Sequence, residues 1–242
     1  IRTLSLFYDE WLGKLPIGEL ERVSLMFDIA DVHGSRYVRV KRVLDVVLAL
    51  GGAVLLLLVI PVVLVADRIG NRGPLLYRQA RIGQGGRTFE ILKFRTMVPD
   101  AEARLNEVLE TLGNGRDNVL FKLDNDPRRT KVGRFLEATS LDELPQLFNV
   151  LNGSMSIVGP RPALPEEVAK FDDELMDRFN VPPGVTGLWQ VEARDNPSFS
   201  AYRRLDLFYV ENWNLLLDLV LMMETCSSVA ARVLRRGKKS RS

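Results

Sequence analysis

The strongest pattern in the chain is an uninterrupted apolar run from residue 46 to residue 66, bounded by Asp45 and Asp67. A helix of that length, at about 1.5 Å per residue, measures roughly 31 Å, which matches the hydrocarbon core of a bilayer. The run begins after Lys41 and has no small-residue cleavage pattern, so it differs from a signal peptide. The pattern predicts a helix that inserts into a membrane.

Basic residues flank this run on both sides, and positive charge usually marks the cytoplasmic side of a membrane segment. Pro61 lies inside the run, where its ring removes a helix hydrogen bond. A helix that breaks near Pro61 and returns to the side it entered from satisfies both observations. A simple membrane-spanning helix remains the alternative. The flanking residues are Arg36, Arg39, Lys41 and Arg42 before the run, and Arg68, Arg72, Arg78 and Arg81 after it.

Shorter patterns predict a β-hairpin after the apolar run. Residues 75–79 and 88–94 alternate between apolar and polar positions as strands do, and the glycine-rich segment 82–86 between them is typical of a turn. From residue 68 to residue 99 the chain is strongly basic, which indicates either a membrane-facing positive surface or an anion site for phosphates.

Apolar residues recur at helical spacing in most of the remaining chain. Residues 100–112 predict an amphipathic helix, residues 139–151 carry apolar residues at helical spacing, and residues 198–236 are largely helical. A Pro/Gly turn followed by a short strand is predicted within residues 181–194. The predicted fold class is therefore α+β and mostly helical, with a membrane-inserted helix-break-helix hairpin joined to a small globular domain that carries a short β-hairpin.

The same patterns divide the chain into four parts. Residues 1–37 mix aromatic, turn and polar residues and are interpreted as a connector from a missing upstream membrane region. Residues 38–70 form the membrane helix, residues 71–236 the globular domain, and residues 237–242 a basic tail.

The composition narrows the possible chemistry. The chain has one cysteine, Cys226, and one histidine, His33, which excludes an intrachain disulfide and the zinc sites built from four cysteines or from two cysteines and two histidines. Lys and Arg outnumber Asp and Glu by only 33 to 31. The P-loop and dinucleotide-binding patterns are absent from the sequence. Catalysis is therefore expected to rest mainly on carboxylates, lysines, arginines, hydroxyl groups or the backbone.

Asp142 and Glu143 are the candidate reactive carboxylates. Acids in a first helical turn ordinarily stabilise the helix dipole, and Ser140 with Glu143 has the spacing of a capping box. The surroundings favour a functional interpretation, because carboxylates among cations suit Mg²⁺ with phosphate oxygens, and a carboxylate can also attack phosphorus. Arg161 lies between two prolines, which present its guanidinium rigidly, and arginine binds phosphate through two parallel hydrogen bonds.

Several of these segments, taken in order, resemble the bacterial sugar transferases, the monotopic phosphoglycosyl transferases. The resemblance covers about residues 38–234 through KRVLDVVLAL, YRQARIG, KFRTM, SLDELPQLFNVL, GPRP, PGVTGLWQV and LDLFYVENW. The opening segment FYDEWLGKLPI is similar to the connector of the larger members, the undecaprenyl-phosphate glucose or galactose phosphotransferases.

The resemblance implies an enzyme that transfers a sugar 1-phosphate from a UDP-sugar to undecaprenyl phosphate and releases UMP, which begins an exopolysaccharide, capsule or O-antigen repeat. It implies that Asp142 is the nucleophile, that Glu143 is its partner, and that both hold Mg²⁺. Lys93, Arg161 and Arg128 are the implied phosphate-binding residues. Pro61 would be the break of a re-entrant hairpin.

The implied location is the bacterial inner membrane, with the catalytic domain on its cytoplasmic face. Besides the two substrates, the resemblance allows a homodimer and gives no reason to expect a nucleic-acid partner. Asp218 is expected to pair with Lys41 or Arg42 and so tie the base of the hairpin to the globular domain. Neither the sugar nor the oligomeric state follows from the sequence, although glucose and galactose lead by analogy.

One departure from the family pattern bears on activity. Glu137 stands where the family usually has an arginine, five residues before Asp142. Either another cation, such as Arg134 or Arg128, compensates, or activity is reduced. A non-catalytic relative that scaffolds polysaccharide assembly is thus the second hypothesis, and an unrelated membrane-anchored protein that only binds anions is the third.

Overall fold

The structure is a computed structural model that describes residues 35–70, 73–104, 126–192 and 199–239. Residues 40–242 form one compact unit and residues 1–39 another, of which residues 35–39 are described. Most of the predicted connector therefore lies outside the described residues, as do the last three residues of the basic tail. The predicted helix over residues 100–112 falls mainly outside them as well, and residues 99–104 form turns.

Helix α1 spans Ser35–Gly70 and contains the apolar run. Residues 37–67 make it long and apolar enough to cross a membrane by length and composition. Its 36 residues measure roughly 54 Å, well beyond the ~30 Å of a bilayer core. One face of α1 is buried against the globular part, and large apolar side chains cover the rest. The exposed ones include Val47, Leu50, Val54, Leu55, Leu57, Leu58, Val62 and Val65.

The predicted helix break at Pro61 is not observed, because α1 continues through Pro61 as one helix. Proline removes only its own hydrogen bond. Leu56 before it and Val63 after it are both buried against the same cluster of the globular part, and this packing holds the two sides of Pro61 in one helix. The re-entrant hairpin is therefore not confirmed.

The predicted β-hairpin is confirmed. Strand β1 (Leu76–Ile82) pairs antiparallel with β2 (Thr88–Phe94). The connection contains Gly85 and Gly86, whose φ angles of 65° and 71° lie in the left-handed region that glycine tolerates.

The remaining elements surround the hairpin and follow it in the chain. They are helix α2 (Lys131–Thr139), a 3₁₀ turn (Leu141–Glu143), α3 (Gln146–Asn152), β3 (Ser156–Val158), α4 (Pro165–Val168), α5 (Asp173–Met176), β4 (Gly184–Thr186), α6 (Leu188–Glu192), α7 (Phe199–Asn212) and α8 (Leu215–Lys239). The predicted short strand after the Pro/Gly turn is β4, which pairs in parallel with β3. The architecture is mostly helical with two small sheets, as predicted.

Two apolar clusters fix α1 on the globular part. Ala49 packs with Ile91 of β2 and Val150 of α3, and close contact there depends on Gly52, because a Cβ on Gly52 would lie 2.6 Å from Leu147 Cδ1. The second cluster contains Leu56, Val63, Phe94 and Leu136, with the partly buried residues Val59, Ile60, Leu75, Val132, Leu141 and Leu144 around it.

Ion pairs tie both ends of α1 to the same globular part. Near its beginning, Lys41 pairs with buried Asp218 of α8, which also accepts a hydrogen bond from the Tyr209 hydroxyl at 2.7 Å. Near its end, Asp67 lies 3.7 Å from Nη2 of buried Arg95. The expected pairing of Asp218 is thus confirmed, with Lys41 as the partner.

Candidate active site

The two candidate carboxylates sit on a single turn between two helices. Helix α2 ends at Thr139, Ser140 adopts a left-handed conformation with φ of 56°, and the 3₁₀ turn Leu141–Glu143 follows. This turn is called the acid turn below. Asp142 is buried, whereas Glu143 is partly exposed.

The predicted capping box between Ser140 and Glu143 is wrong. Ser140 ends α2, where its N–H donates to the carbonyl of Glu137 at 3.3 Å, and it also precedes the 3₁₀ turn, but its side chain makes no capping hydrogen bond to that turn. Its hydroxyl oxygen accepts a hydrogen bond from Nη2 of Arg232 at 3.1 Å. A left-handed residue cannot present its side chain to the next turn as an N-cap does, because that role needs extended backbone.

Glu143 is paired with a cation from the hairpin. Nζ of Lys93 lies 3.2 Å from Oε1 of Glu143, and both side chains are about 30% exposed. Lys93 lies near the end of β2, so the strand brings it to the acid turn from 50 residues earlier in the chain. Two of the five predicted site residues outside the membrane helix are thus in direct contact.

Asn149 fixes the position of β2 relative to the acid turn. Its side-chain amide donates to the Glu90 carbonyl at 2.7 Å, and its Oδ1 accepts from the Leu92 N–H at 3.0 Å. It therefore hydrogen-bonds to the edge of β2 on both sides of Ile91, as a neighbouring strand would. Because Asn149 lies on α3, which directly follows the acid turn, these two bonds set the distance between Lys93 and the carboxylates.

The acid turn lies against the apolar helix. Leu141 and Leu144, which bracket the two carboxylates, pack on the cluster that includes Leu56 and Val63 of α1. The candidate carboxylates are thereby held beside the segment with the composition of a membrane helix.

Arg161 is presented by a rigid crossing of two backbones. A Cβ on Gly159 would lie 2.4 Å from the Pro182 carbonyl oxygen, and one on Gly184 would lie 2.1 Å from the Gly159 nitrogen, so only glycine allows this approach. Nη1 of Arg161 donates to both carboxylate oxygens of Glu167, at 3.1 and 3.0 Å. About a quarter of the Arg161 side chain stays exposed.

Arg128 is engaged by a neighbouring acid. Its guanidinium makes two-point contact with Asp126, with Nη2 2.6 Å from Oδ2 and Nε 2.9 Å from Oδ1, and its Nη1 donates to the Ala101 carbonyl. Both residues are buried. Arg128 thus has a structural role in the described residues, where it holds the segment that precedes α2 against the turn that follows β2.

Glu137 has its own cationic partner. Oε2 of Glu137 lies 3.0 Å from Nε of Arg129, so its charge is offset by a residue that the sequence did not single out. The pairing lessens the repulsion that Glu137 was expected to exert on the acid turn.

The donor set of the acid turn fits a magnesium ion only in part. Within the described residues, no group of three or more His, Cys, Asp or Glu side chains is clustered as a metal site. Mg²⁺, however, is commonly held by one or two carboxylates together with substrate phosphates. Asp142 and Glu143 supply two hard oxygen donors of this kind.

Sequence reasoning missed two residues that shape the site, Asn149 and Arg232. Asn149 lies within the segment that the sequence predicted to be helical, and it is buried in the structure. Because asparagine is seldom buried, its presence in this segment was a usable signal of a specific hydrogen-bonding role. Arg232 lies 92 residues beyond Ser140. No local pattern marks such a contact.

Known proteins with similar sequences were found over most of the chain. A profile of the family described as "Bacterial sugar transferase" matches residues 36–232. The chain is 41% identical over 202 residues to the UDP-galactose-lipid carrier transferase of Erwinia amylovora, which covers 83% of this chain and 42% of that protein. It is 43% identical over 162 residues to the undecaprenyl-phosphate galactose phosphotransferase of Salmonella typhimurium, covering 66% of this chain and 34% of that protein.

A shorter relative matches along most of its own length. The exopolysaccharide production protein ExoY of Sinorhizobium fredii is 38% identical over 191 residues, which covers 78% of this chain and 84% of that protein. The chain spans less than half of the length of the Erwinia and Salmonella proteins.

Proposed function

Because the chain belongs to the bacterial sugar transferase family, we propose that it transfers a sugar 1-phosphate from a UDP-sugar to undecaprenyl phosphate and releases UMP. The relatives named for galactose transfer to a lipid carrier and for exopolysaccharide production support this reaction class. The product would be the first lipid-linked unit of an exopolysaccharide, capsule or O-antigen repeat.

The transfer is proposed to occur in two displacements at Asp142. In the first, a carboxylate oxygen of Asp142 attacks the sugar-proximal phosphorus, and the bond from that phosphorus to the bridging oxygen breaks, so UMP leaves with the electron pair. In the second, a phosphate oxygen of undecaprenyl phosphate attacks the same phosphorus and releases Asp142. Two steps let a soluble donor and a lipid acceptor use one site in turn.

The candidate phosphate-binding cations have a defined task in this scheme. A bare carboxylate is repelled by a diphosphate, so positive charge must offset the repulsion before attack. Lys93 and Arg161 would hold phosphate oxygens. Mg²⁺, bound by Asp142 and Glu143, would neutralise further charge on the diphosphate.

The single observation that carries the proposal is the place of the acid turn. Lys93 contacts Glu143, and Leu141 and Leu144 of the same segment pack on the apolar helix α1. A lipid acceptor brings its phosphate to the membrane surface while its chain stays in the bilayer. A reactive carboxylate beside a membrane helix, with a cation at hand, is suited to that acceptor.

The location proposed for the protein is the cytoplasmic face of the bacterial inner membrane, with both ends of α1 on that face. The ion pairs Lys41–Asp218 and Asp67–Arg95 attach the two ends of α1 to one globular part, which argues against a helix that crosses the membrane. Val40→Cys and Pro74→Cys, each in a Cys226→Ser background, test this with a membrane-impermeant maleimide. Both are expected to react only in inside-out vesicles. Labelling of one of them in intact spheroplasts would establish a spanning helix instead.

Release of UMP from a panel of UDP-sugars tests the reaction itself. The chain in detergent is incubated with Mg²⁺, with and without undecaprenyl phosphate, beside Asp142→Asn. We expect lipid-dependent UMP from one donor and none from the variant. Well-folded protein that releases no UMP from any donor would support a scaffolding relative, and Glu137→Arg would then be assayed for restored turnover.

A further inference from the structure

Three arginines lie at the Gly159–Pro162 segment. Arg81, at the end of β1, donates from Nη1 to the Pro162 carbonyl at 3.0 Å, where Ile82 and Ala163 pair as an isolated bridge. Arg178 donates from Nη2 to the Arg161 carbonyl at 2.6 Å. The third is Arg161 itself, whose guanidinium lies 6.0 Å from the centre of the Trp189 ring.

Within the described residues, the carboxylates paired with these arginines do not balance their charge. Glu167 pairs with Arg161, and Asp206 pairs with Arg178 at 2.6 Å. Arg81 donates only to neutral oxygens, of Pro162 and of Gln79, and forms no ion pair within the part of the chain that the structure describes. Burial, together with the neighbouring charge of Arg161, lowers the pKa of Arg81 to about 10. The group therefore carries surplus positive charge in a partly desolvated place.

Two buried hydrogen-bond donors there also lack a partner among the described residues. Nε of Arg81 and Nε1 of Trp189 are both buried and have no hydrogen-bond partner among the described residues. Trp189 is 8% exposed, so water does not readily satisfy its N–H. Buried polar groups are nearly always partnered, and two orphaned donors beside unbalanced positive charge indicate a missing acceptor that is anionic.

Arg178 has a different role from the other two. It is 2% exposed and lies 4.7 Å from the centre of the Tyr202 ring and 5.2 Å from that of Phe171, so aromatic faces surround its remaining N–H groups. It supports the Gly159–Pro162 segment through its hydrogen bond to the Arg161 carbonyl. The partly exposed arginines that a ligand can reach are Arg81 and Arg161.

We propose that Arg81 joins Arg161 in a binding site for the phosphate group of a phosphate ester, with the indole N–H of Trp189 as a further donor. The proposal rests on the proposed function, since it adds a residue to the phosphate-binding role given there to Arg161. Two sources supply this chemistry, the soluble nucleotide and the lipid acceptor. The planar guanidinium group of arginine suits either ligand, because it binds two phosphate oxygens at once.

Equilibrium binding by the full chain in detergent tests the site without requiring turnover. UMP and undecaprenyl phosphate are titrated separately by calorimetry into the unmutated chain, Arg81→Gln and Arg78→Gln. Arg78 lies on the same strand, and its pair with Glu90 is 63% exposed, so Arg78→Gln is the matched control. Arg81→Gln is expected to raise the Kd of one of the two ligands by about tenfold or more, and the control to leave both Kd values unchanged.

The ligand that loses affinity identifies the source of the phosphate. Unchanged Kd values for both ligands in Arg81→Gln would overturn the proposal, as would the absence of saturable binding by the unmutated chain. If Arg81→Gln does not fold, Arg81→Lys replaces it, because lysine keeps the charge but lacks the planar guanidinium group. Unchanged Kd values for both ligands in Arg81→Lys would again overturn the proposal. Arg81-dependent binding without any UMP release would leave the site standing and refute the proposed reaction alone.

Discussion

The hydroxyl oxygen of Ser140 accepts a hydrogen bond of 3.1 Å from Nη2 of Arg232, a residue near the far end of the last helix. Ser140 is the one described non-glycine residue with a positive φ, and it immediately precedes the acid turn. A left-handed serine costs about 1–2 kcal/mol relative to ordinary backbone. Arg232 therefore holds the strained residue that sets the direction of the chain from the end of α2 into the acid turn.

Removing this hydrogen bond from either side should have the same effect. Arg232→Gln and Ser140→Ala are each expected to lower the free energy of unfolding by about 1–2 kcal/mol, and the double variant to lower it little further, because both remove one bond. Chemical unfolding in detergent measures all three. Ser140→Gly is expected to cost less than Ser140→Ala, since glycine adopts the left-handed conformation freely. Additive losses in the double variant would show that the two residues act separately.

Lys93 should be required for transfer but not for folding. Lys93→Met removes the charge beside Glu143 while keeping a similar side-chain length, and we expect the rate of UMP release to fall by about 100-fold, as when one electrostatic donor is lost from an active site. Lys93→Arg should retain part of the rate. Arg78→Gln on the neighbouring strand is the control, and its exposed pair with Glu90 predicts an unchanged rate. A Lys93→Met enzyme of normal activity would remove Lys93 from the site.

Asn149 should contribute more to stability than an exposed asparagine. Asn149→Leu leaves the Leu92 N–H and the Glu90 carbonyl without their side-chain partner, and we expect a loss of about 2–4 kcal/mol in the free energy of unfolding. Asn180→Leu is the control, because Asn180 is exposed. Equal losses in the two variants, measured by urea unfolding, would show that the contacts of Asn149 with β2 have no special weight.

Asp206 should make stability depend on pH below neutrality. Burial raises its pKa to about 6, and the charge of Arg178 opposes this only in part. The folded chain then keeps the proton at pH values where the unfolded chain, with a carboxyl pKa of about 3.9, has lost it. Stability is therefore expected to fall by roughly 3 kcal/mol as the pH rises from about 4 to about 6. Thermal unfolding across this range measures the slope, and Asp206→Asn should flatten it; an unchanged slope would assign the effect to other groups.

Two adjacent glycines of α1 offer a matched test of its packing. Gly52→Val places atoms against Leu147, whose Cδ1 already lies 2.6 Å from the position of a Cβ, whereas a Cβ on Gly51 meets nothing within 4 Å. We expect Gly52→Val to lower the unfolding temperature by several degrees and Gly51→Val to change it little. Similar shifts for both would mean that α1 does not rest on α3 at this point.

The sequence predicted the features that local chemistry dictates. The apolar run became α1, and the alternating segments became the hairpin. These predictions depended on periodicity and on unusual residue types within short windows.

The errors share a different cause, which is contact between distant segments. Pro61 was expected to break the helix, but packing of Leu56 and Val63 on Leu136 keeps it continuous. The Ser140 side chain was expected to cap a helix, but it accepts a hydrogen bond from Arg232 instead. In each case a residue far along the chain decided between two conformations that the local sequence left nearly equal.

The attachment of both ends of α1 has a consequence for the bilayer itself. A helix held at one point can tilt until its apolar length matches the membrane around it. Because Lys41 and Asp67 are each bound to the globular part, α1 has no such freedom. In the proposed location, the depth of the acid turn relative to the lipid headgroups would then be set by the globular part and not by the thickness of the membrane.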